Sequence, residues 1–311
     1  MPLPLSIEVG PNTFDALADG PAGGELVLLL HGFPQTSLSW RDQIAALADA
    51  GYRAVAPDQR GYSPGARPRD VSAYAMPQLV DDVVGLADAL GAERFHLVGH
   101  DWGGAVAWHV AARHPGRLRT LTVLSTPHPE ALRRAYVGEL GGDQAQRSGY
   151  MAFFRQPDAQ DRLLENDAAG FRLLFAGSGM PEGRADPYVE ALGTPAALGA
   201  ALNWYRAASV ADSEGLGPIT TPTLYVWSTE DVALGREAAE ATAGAAAGND
   251  ITARTGVAAA IAVQVRNDRF IHSPFCSAER KGDNANGTRG TRPWTQSRAD
   301  VRSPGAAPLC G

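Results

Sequence analysis

The sequence has little cysteine and almost no lysine. Two cysteines, Cys276 and Cys310, occur in 311 residues, and neither forms a metal-ligand spacing with a histidine. This excludes a disulfide scaffold and a cysteine-based metal site. The 34 acidic residues outnumber the 27 basic ones, for a net charge of −7, and nucleic-acid binding needs a concentrated positive surface. We therefore expect no nucleic-acid partner, no metal and no cofactor.

Long hydrophobic runs are also missing. The most apolar early run, Leu26 to Leu30, is far shorter than a membrane span, and the first ten residues lack the basic segment and long apolar core of a secretory signal peptide. We therefore expect a cytoplasmic protein with no membrane partner. The length of 311 residues suits one large α/β domain with an inserted subdomain. The oligomeric state is left open.

What the sequence does contain is an alternation of short apolar runs with amphipathic stretches of helix length. This order predicts right-handed crossovers and a mostly parallel sheet with helices on both faces, which is an α/β fold. Reactive groups in such a sheet lie at the carboxyl ends of the strands. The predicted strands are residues 25–32, 52–58, 94–100, 118–126 and 221–228, and the predicted helices are residues 36–50, 73–91 and 103–114.

Two later segments break this alternation. Residues 128–215 contain helix-like segments rich in aromatic residues and leucine, and we predict a helical lid inserted between two strands of a core formed by 1–127 and 216–244. Residues 245–311 carry the only lysine, Lys281, and both cysteines, and from Lys281 onward their composition is typical of disorder. We expect an atypical, largely disordered tail from an altered reading frame or an eroded terminus, with the last strand and helix missing or disordered.

A glycine-rich motif, Gly-His-Asp-Trp-Gly-Gly, joins a predicted strand to a predicted helix at residues 99–104. Gly99 and Gly103 lie two positions either side of Asp101, which is the spacing of a nucleophile elbow, where small neighbours permit a strained turn. The alternative is an ordinary glycine-rich turn in which Asp101 only caps the helix.

With this motif the sequence resembles the α/β-hydrolase superfamily and, within it, the epoxide hydrolase branch. The resemblance extends over about residues 1–244 and implies an α/β-hydrolase fold with Asp101 as a carboxylate nucleophile. Because an aspartate with an ordinary pKa near 3.9 is ionised at neutral pH, it can attack an epoxide carbon and form an ester without help from a base. The implied activity is the opening of a small apolar epoxide to a diol.

The segment His31-Gly32-Phe33-Pro34 follows the first predicted core strand, where this family supplies half of its oxyanion hole. By this resemblance the backbone N–H groups of Phe33 and Trp102 hold the oxyanion when the ester is hydrolysed, with His31 and Pro34 beside the substrate. The alternative is an ordinary strand-to-loop turn. For the His31 ring we favour a structural, hydrogen-bonded role.

Two aromatic segments in the predicted lid, residues 150–157 and 203–206, are similar to those from which epoxide hydrolases project a pair of tyrosines over the nucleophile. The resemblance implies that Tyr150 and Tyr205 donate hydrogen bonds to the epoxide oxygen and protonate the alkoxide as the ring opens. It also places Trp204 beside the substrate. The alternative is that these tyrosines are amphipathic packing residues.

The family pattern also requires an acid and a histidine base, and the sequence offers a well-placed residue only for the acid. Asp231 follows the last predicted strand, where the family places the acid that orients a catalytic histidine; a turn or cap residue is the alternative. A Gly-His pair is then expected roughly 25–35 residues further on, and the sequence has none there. The only later histidine is His272, 41 positions after Asp231. His272 is a candidate base, but a solvent-facing or disordered histidine is the favoured interpretation, and turnover is in doubt.

Two other functions stay open. A dehalogenase of the same fold also uses an aspartate nucleophile and holds the leaving halide with lid Trp or Asn N–H donors, for which Trp102 and Trp204 are candidates. The second is that the chain descends from such an enzyme and binds small apolar ligands without turning them over. The missing histidine is the reason to consider this function.

Overall fold

A seven-stranded sheet in the order β1-β2-β4-β3-β5-β6-β7 forms the centre of the computed structural model, which describes residues 1–177, 180–181, 183–228 and 231–245. Strands β3 to β7 run parallel, and β1 and β2 are antiparallel to their neighbours. The predicted mostly parallel sheet is confirmed, since each predicted strand contains one of β3 to β7. The strands are β1 (Leu3–Val9), β2 (Asn12–Asp19), β3 (Leu26–Leu30), β4 (Arg53–Pro57), β5 (Phe95–His100), β6 (Leu118–Leu124) and β7 (Thr223–Val226).

The hairpin of β1 and β2 was not predicted from the sequence. Its strands join through a two-residue turn, because Val9 pairs with Asn12 and Gly10 takes a φ of +57°. In β1 only Ile7 is buried, so the strand has no continuous apolar run. An antiparallel strand with one solvated face alternates in this way, and its signal in the sequence is weak.

Helices cover both faces of the sheet, as the sequence predicts. Val27 and Leu29 of β3 pack in one cluster with Ile44, whereas Leu28 packs on the opposite face with Val106. Alternating side chains of one fully buried strand therefore serve two separate cores. The helices that contribute are α1 (Arg41–Asp49), α2 (Met76–Ala89) and α3 (Trp102–Arg113).

Between β6 and β7 the described residues form helices joined by turns and loops, with no strand among them. One of these helices, α7, is interrupted where Asn166, Asp167 and Ala168 take positive φ angles. These helices follow the carboxyl end of β6 and return to the sheet at β7. They are α4 (Pro129–Tyr136), α5 (Gln144–Arg147), α6 (Tyr150–Phe154), α7 (Ala159–Gly177), α8 (Asp186–Leu192) and α9 (Pro195–Ala207), and α10 (Arg236–Ala245) comes after β7.

A buried ion pair ties the loop after β4 to α2. The Arg60 guanidinium donates to both carboxylate oxygens of Asp82, at 2.7 and 2.6 Å, and both side chains are about one-tenth exposed. The carbonyl oxygen of Arg60 accepts a hydrogen bond from Nε1 of Trp204 in α9 at 2.7 Å. The ion pair between Arg60 and Asp82 therefore helps to fix the backbone segment to which Trp204 of α9 is hydrogen-bonded.

We predict that Asp82→Ala lowers the free energy of unfolding by about 3–5 kcal/mol, because it leaves the Arg60 charge buried without its partner. The matched control is Asp88→Ala, also on α2, which removes an exposed partner of Arg117 and should cost about 1 kcal/mol or less. Chemical denaturation of both variants measures the difference. Equal losses would show that the buried pair contributes no more than a surface pair.

Candidate active site

Asp101 lies in a tight turn between β5 and α3. Its φ of +52° is in the left-handed region, which few residues other than glycine adopt. A Cβ atom on Gly99 would collide with the carbonyl oxygen of Gly103, and one on Gly103 would collide with the carbonyl oxygen of Leu30. The small residues on either side of Asp101 are therefore required by the close approach of three backbone segments.

The loop after β3 contacts the Asp101 carboxylate directly. The backbone N–H of Phe33 donates to Oδ1 of Asp101 at 2.9 Å, and the N–H of Trp102 also donates to this carboxylate. A side chain at Gly32 would overlap Asp101. The structure thus brings together the carboxylate and the two amides that the sequence analysis assigned to an oxyanion hole. The peptide bond between Phe33 and Pro34 is cis, and Pro34 is buried.

The pKa of Asp101 is raised to about 6. Burial is the largest cause, and the Asp231 charge raises it further, while the hydrogen bonds from Trp102 and Phe33 lower it. The carboxyl group of Asp101 is therefore less acidic than that of an ordinary aspartate, whose pKa is near 3.9. Most of it is still ionised at neutral pH, since that pH is about one unit above the pKa.

Asp231 is buried in the loop that follows β7. Its Oδ1 accepts hydrogen bonds from the backbone N–H groups of Ala233 and Leu234, both at 2.9 Å. Nη1 of Arg147 donates to the carbonyl oxygen of Asp231 at 3.0 Å. These contacts fix the orientation of the Asp231 carboxylate. Its charge raises the pKa of both Asp101 and Tyr150.

Tyr150 and Tyr205 come together from α6 and α9. Their ring centroids are 6.4 Å apart, and the Tyr205 ring lies 5.1 Å from Trp102 and 5.4 Å from Phe33. Burial raises the pKa of both phenols above the ordinary value, and the charge of Asp101 raises it further. Both tyrosines are consequently protonated hydrogen-bond donors at neutral pH, close to Asp101.

Both ring nitrogens of His31 have backbone partners. Nε2 accepts a hydrogen bond from the N–H of Gln59 at 3.2 Å, so Nδ1 is the nitrogen that carries the proton and donates to the carbonyl oxygen of Gly32 at 3.1 Å. Burial lowers the pKa of the ring. The geometry favours the structural role that the sequence analysis preferred for this side chain.

Tyr62 is a neighbour of the site that the sequence analysis missed. Its ring lies 4.4 Å from His31 and 6.2 Å from Trp204, its buried hydroxyl has no hydrogen-bond partner among the described residues, and burial and the charge of Asp101 raise its pKa. Tyr62 lies in the loop that follows β4, at the carboxyl edge of the sheet. Because reactive groups collect at this edge, the predicted end of that strand could have marked Tyr62 as a candidate site residue.

Beside Trp102 lies a cavity of about 270 Å³. Its wall includes the apolar side chains of Met76, Leu132 and Met151, and Tyr136 and Val210 are half exposed where they line it.

Among the described residues, no group of acidic, histidine or cysteine side chains has the arrangement of a metal site, and no helix is long and apolar enough to cross a membrane. His272 and almost all of the predicted tail lie outside the described residues.

Comparisons with known proteins agree with this geometry. The chain is 39% identical over 241 residues to an AB hydrolase superfamily protein, YfhM, of Bacillus subtilis, covering 74% of this chain and 82% of that protein. It is 36% identical over 261 residues to epoxide hydrolase A of Mycobacterium tuberculosis, covering 69% and 78% respectively.

Solved structures give the same result. The structure of epoxide hydrolase A from Mycobacterium thermoresistibile matches with a TM-score of 0.68 and 31% identity, over 80% of this chain and 89% of that one. The Bacillus megaterium epoxide hydrolase in complex with an inhibitor matches with a TM-score of 0.73 and 25% identity, over 85% and 97%. Residues 25–251 match the family described as alpha/beta hydrolase fold. The chain is therefore a hydrolase of the α/β-hydrolase fold family, in its epoxide hydrolase-like branch.

Proposed function

We propose that this enzyme opens a small apolar epoxide through an ester on Asp101. The observation that carries the proposal is the position of Asp101, which contacts the Phe33 and Trp102 amides and lies near two protonated tyrosines. Relatives named as epoxide hydrolases support the substrate class. The helices of residues 128–215 act as a lid over this site, and the cavity beside Trp102 has room for an apolar substituent.

In the first step a carboxylate oxygen of Asp101 attacks one epoxide carbon, and the bond from that carbon to the ring oxygen breaks. The oxygen takes a proton from Tyr150 or Tyr205, and the resulting phenolate regains a proton from water. The product is a hydroxyalkyl ester on Asp101. In the second step water adds to the ester carbonyl and loses a proton, and the N–H groups of Phe33 and Trp102 hold the oxyanion. The bond from the carbonyl carbon to the alkyl oxygen then breaks, that oxygen takes up a proton, the diol leaves and the Asp101 carboxylate is regenerated.

The second step also needs a base that activates water, a contribution of typically about 10²- to 10⁴-fold. Asp231 is oriented as an acid that could hold a histidine, but the sequence has no histidine at the spacing the family uses. We infer that ester formation is retained and that ester hydrolysis is slow. The enzyme then accumulates as the ester on Asp101.

The dehalogenase alternative has less support. Nε1 of Trp204 donates to the carbonyl oxygen of Arg60 at 2.7 Å, and the Trp102 side chain is hydrogen-bonded to Tyr205. Both indoles thus already have protein partners, so neither is directed at a leaving halide. Two protonated phenols, by contrast, match an oxygen leaving group that needs a proton.

We predict that excess epoxide produces one equivalent of covalent adduct and no sustained diol, because ester formation needs no base and hydrolysis does. Intact mass and diol concentration, followed together before the steady state, measure both steps. Asp101→Ala is the control and should form no adduct, since it removes the attacking oxygen. Labelling of that variant would reject Asp101 as the nucleophile. Sustained diol production would contradict slow hydrolysis and would make His272 the next residue to replace.

We predict that the rate of ester formation rises with pH around a midpoint of about 6, the raised pKa of Asp101. Only the ionised carboxylate attacks, so protonation below that pH removes the nucleophile. Single-turnover rates between about pH 4 and about pH 9 measure the midpoint. Asp231→Asn should lower it by part of the shift, because the Asp231 charge raises this pKa less than burial does. A midpoint near the ordinary value of about 3.9 would mean that Asp101 reacts while solvated.

We predict that Tyr150→Phe and Tyr205→Phe each slow ring opening by about 10- to 100-fold, because each removes one donor to the developing alkoxide while the other remains. The double variant should lose far more. Tyr188→Phe is a matched control, since Tyr188 is a buried tyrosine of the inserted helices that stacks on Phe175. If both single variants react at the parental rate, the two tyrosines are packing residues and halide release becomes the next assay.

A further inference from the structure

Two arginines connect the segments that carry Tyr150 and Tyr205. Arg155 directly follows α6, and its Nε donates to the carbonyl oxygen of Tyr205 in α9 at 3.0 Å. Arg206 directly follows Tyr205, and its Nη2 donates in the opposite direction, to the carbonyl oxygen of Gln156 at 2.9 Å. Each segment therefore supplies one arginine to the backbone of the other.

The acceptors of these two arginines are neutral. Nη2 of Arg206 also donates to Oε1 of Gln160 at 2.6 Å, and Nη1 donates to Oδ1 of Asn203 at 3.0 Å and to the carbonyl oxygen of Gly199 at 3.2 Å. Within the described part of the chain, neither guanidinium forms an ion pair with a carboxylate. A planar guanidinium can bridge several acceptors in a fixed geometry, so these contacts define position more than they balance charge.

Such contacts matter because α6 cannot fix its own position. It has five residues and no side-chain cap, and helices this short are not stable alone. The Phe154 ring makes edge-to-face contacts with Tyr205 and Phe33, with centroids 4.9 and 5.2 Å away, but such ring pairs tolerate a range of separations. The arginine hydrogen bonds add the direction that sets the register of α6 against α9.

We propose that Arg155 and Arg206 are positioning residues that keep Tyr150 and Tyr205 at the separation needed for both phenols to reach one epoxide oxygen. This rests on the proposed roles of the two tyrosines. A misplacement of about 1 Å at a reacting centre can cost about 100-fold in rate. Arg155 also lines the cavity beside Trp102, whereas Arg206 does not, and both arginines act on the two tyrosines through the backbone of the two segments.

The test uses Arg155→Met and Arg206→Met in single-turnover ester formation. The maximal rate should fall about 10- to 100-fold in both variants. In Arg206→Met, which leaves the lining of the cavity beside Trp102 unaltered, the epoxide concentration that gives half of that rate should change by less than about twofold. Arg155→Lys should recover part of the rate, because an ammonium can still donate to one carbonyl. The matched control is Arg172→Met, which removes an arginine of the inserted helices that is half-buried like Arg206 and pairs with Asp186, and it should leave the rate unchanged.

A double-mutant cycle separates positioning from a general structural effect. In a Tyr150→Phe background, Arg155→Met should have almost no further effect, because α6 then carries no donor to position. A loss of the same size in both backgrounds would overturn the proposal, as would parental rates in both Met variants.

Amide hydrogen exchange over residues 150–156 tests the restraint without using activity. Exchange there should be faster in both Met variants than in the parental enzyme, and unchanged exchange would overturn the proposal. If the parental enzyme forms no adduct while exchange is faster in the variants, the restraint is supported and it is the proposed function that fails.

Discussion

The turn at Asp101 is the constraint on which the site depends. A positive φ at a non-glycine residue costs on the order of 1–3 kcal/mol, and the surrounding contacts must offset this cost. Thr126 donates to the Asp101 carbonyl at 2.7 Å, and the N–H of Gly103 donates to the carbonyl of His31 at 3.1 Å. Because three backbone segments meet at this turn, the residues that hold the strain also place the Phe33 amide against the carboxylate.

The same packing that positions Asp101 opposes its ionisation. Its folded pKa of about 6 lies above the ordinary value of about 3.9, so the unfolded state loses its proton first as pH rises. The stability that this group contributes is full below about pH 4 and is lost as pH rises through about 6. With Asp101 ionised at neutral pH the folded protein is therefore less stable, and the hydrogen bonds from the amides of Phe33 and Trp102 limit the loss.

The sequence predicted the parts of the fold that follow from local patterns. Five strands were marked by apolar runs and α1 to α3 by their spacing, whereas the hairpin of β1 and β2 has only alternating burial and was missed. The spacing around Asp101 indicated the sharp turn because sterics at Gly99 and Gly103 are local. The raised pKa of Asp101 and the hydrogen bonds of Arg155 depend on burial and on contacts between distant segments, which single-sequence patterns do not contain.

The two chemical steps of the proposed mechanism depend on different parts of the chain. The proposed ester formation uses the turn at Asp101 and tyrosines from two helices of the inserted segment, so it depends on how accurately α6 and α9 are held together. The proposed oxyanion stabilisation needs only the sheet edge, because the amides of Phe33 and Trp102 follow the ends of β3 and β5. Asp231 is oriented by the amides of its own loop, so its geometry does not depend on a histidine partner. Under the proposed mechanism, loss of a base would therefore remove hydrolysis of the ester and leave the residues for ester formation in place.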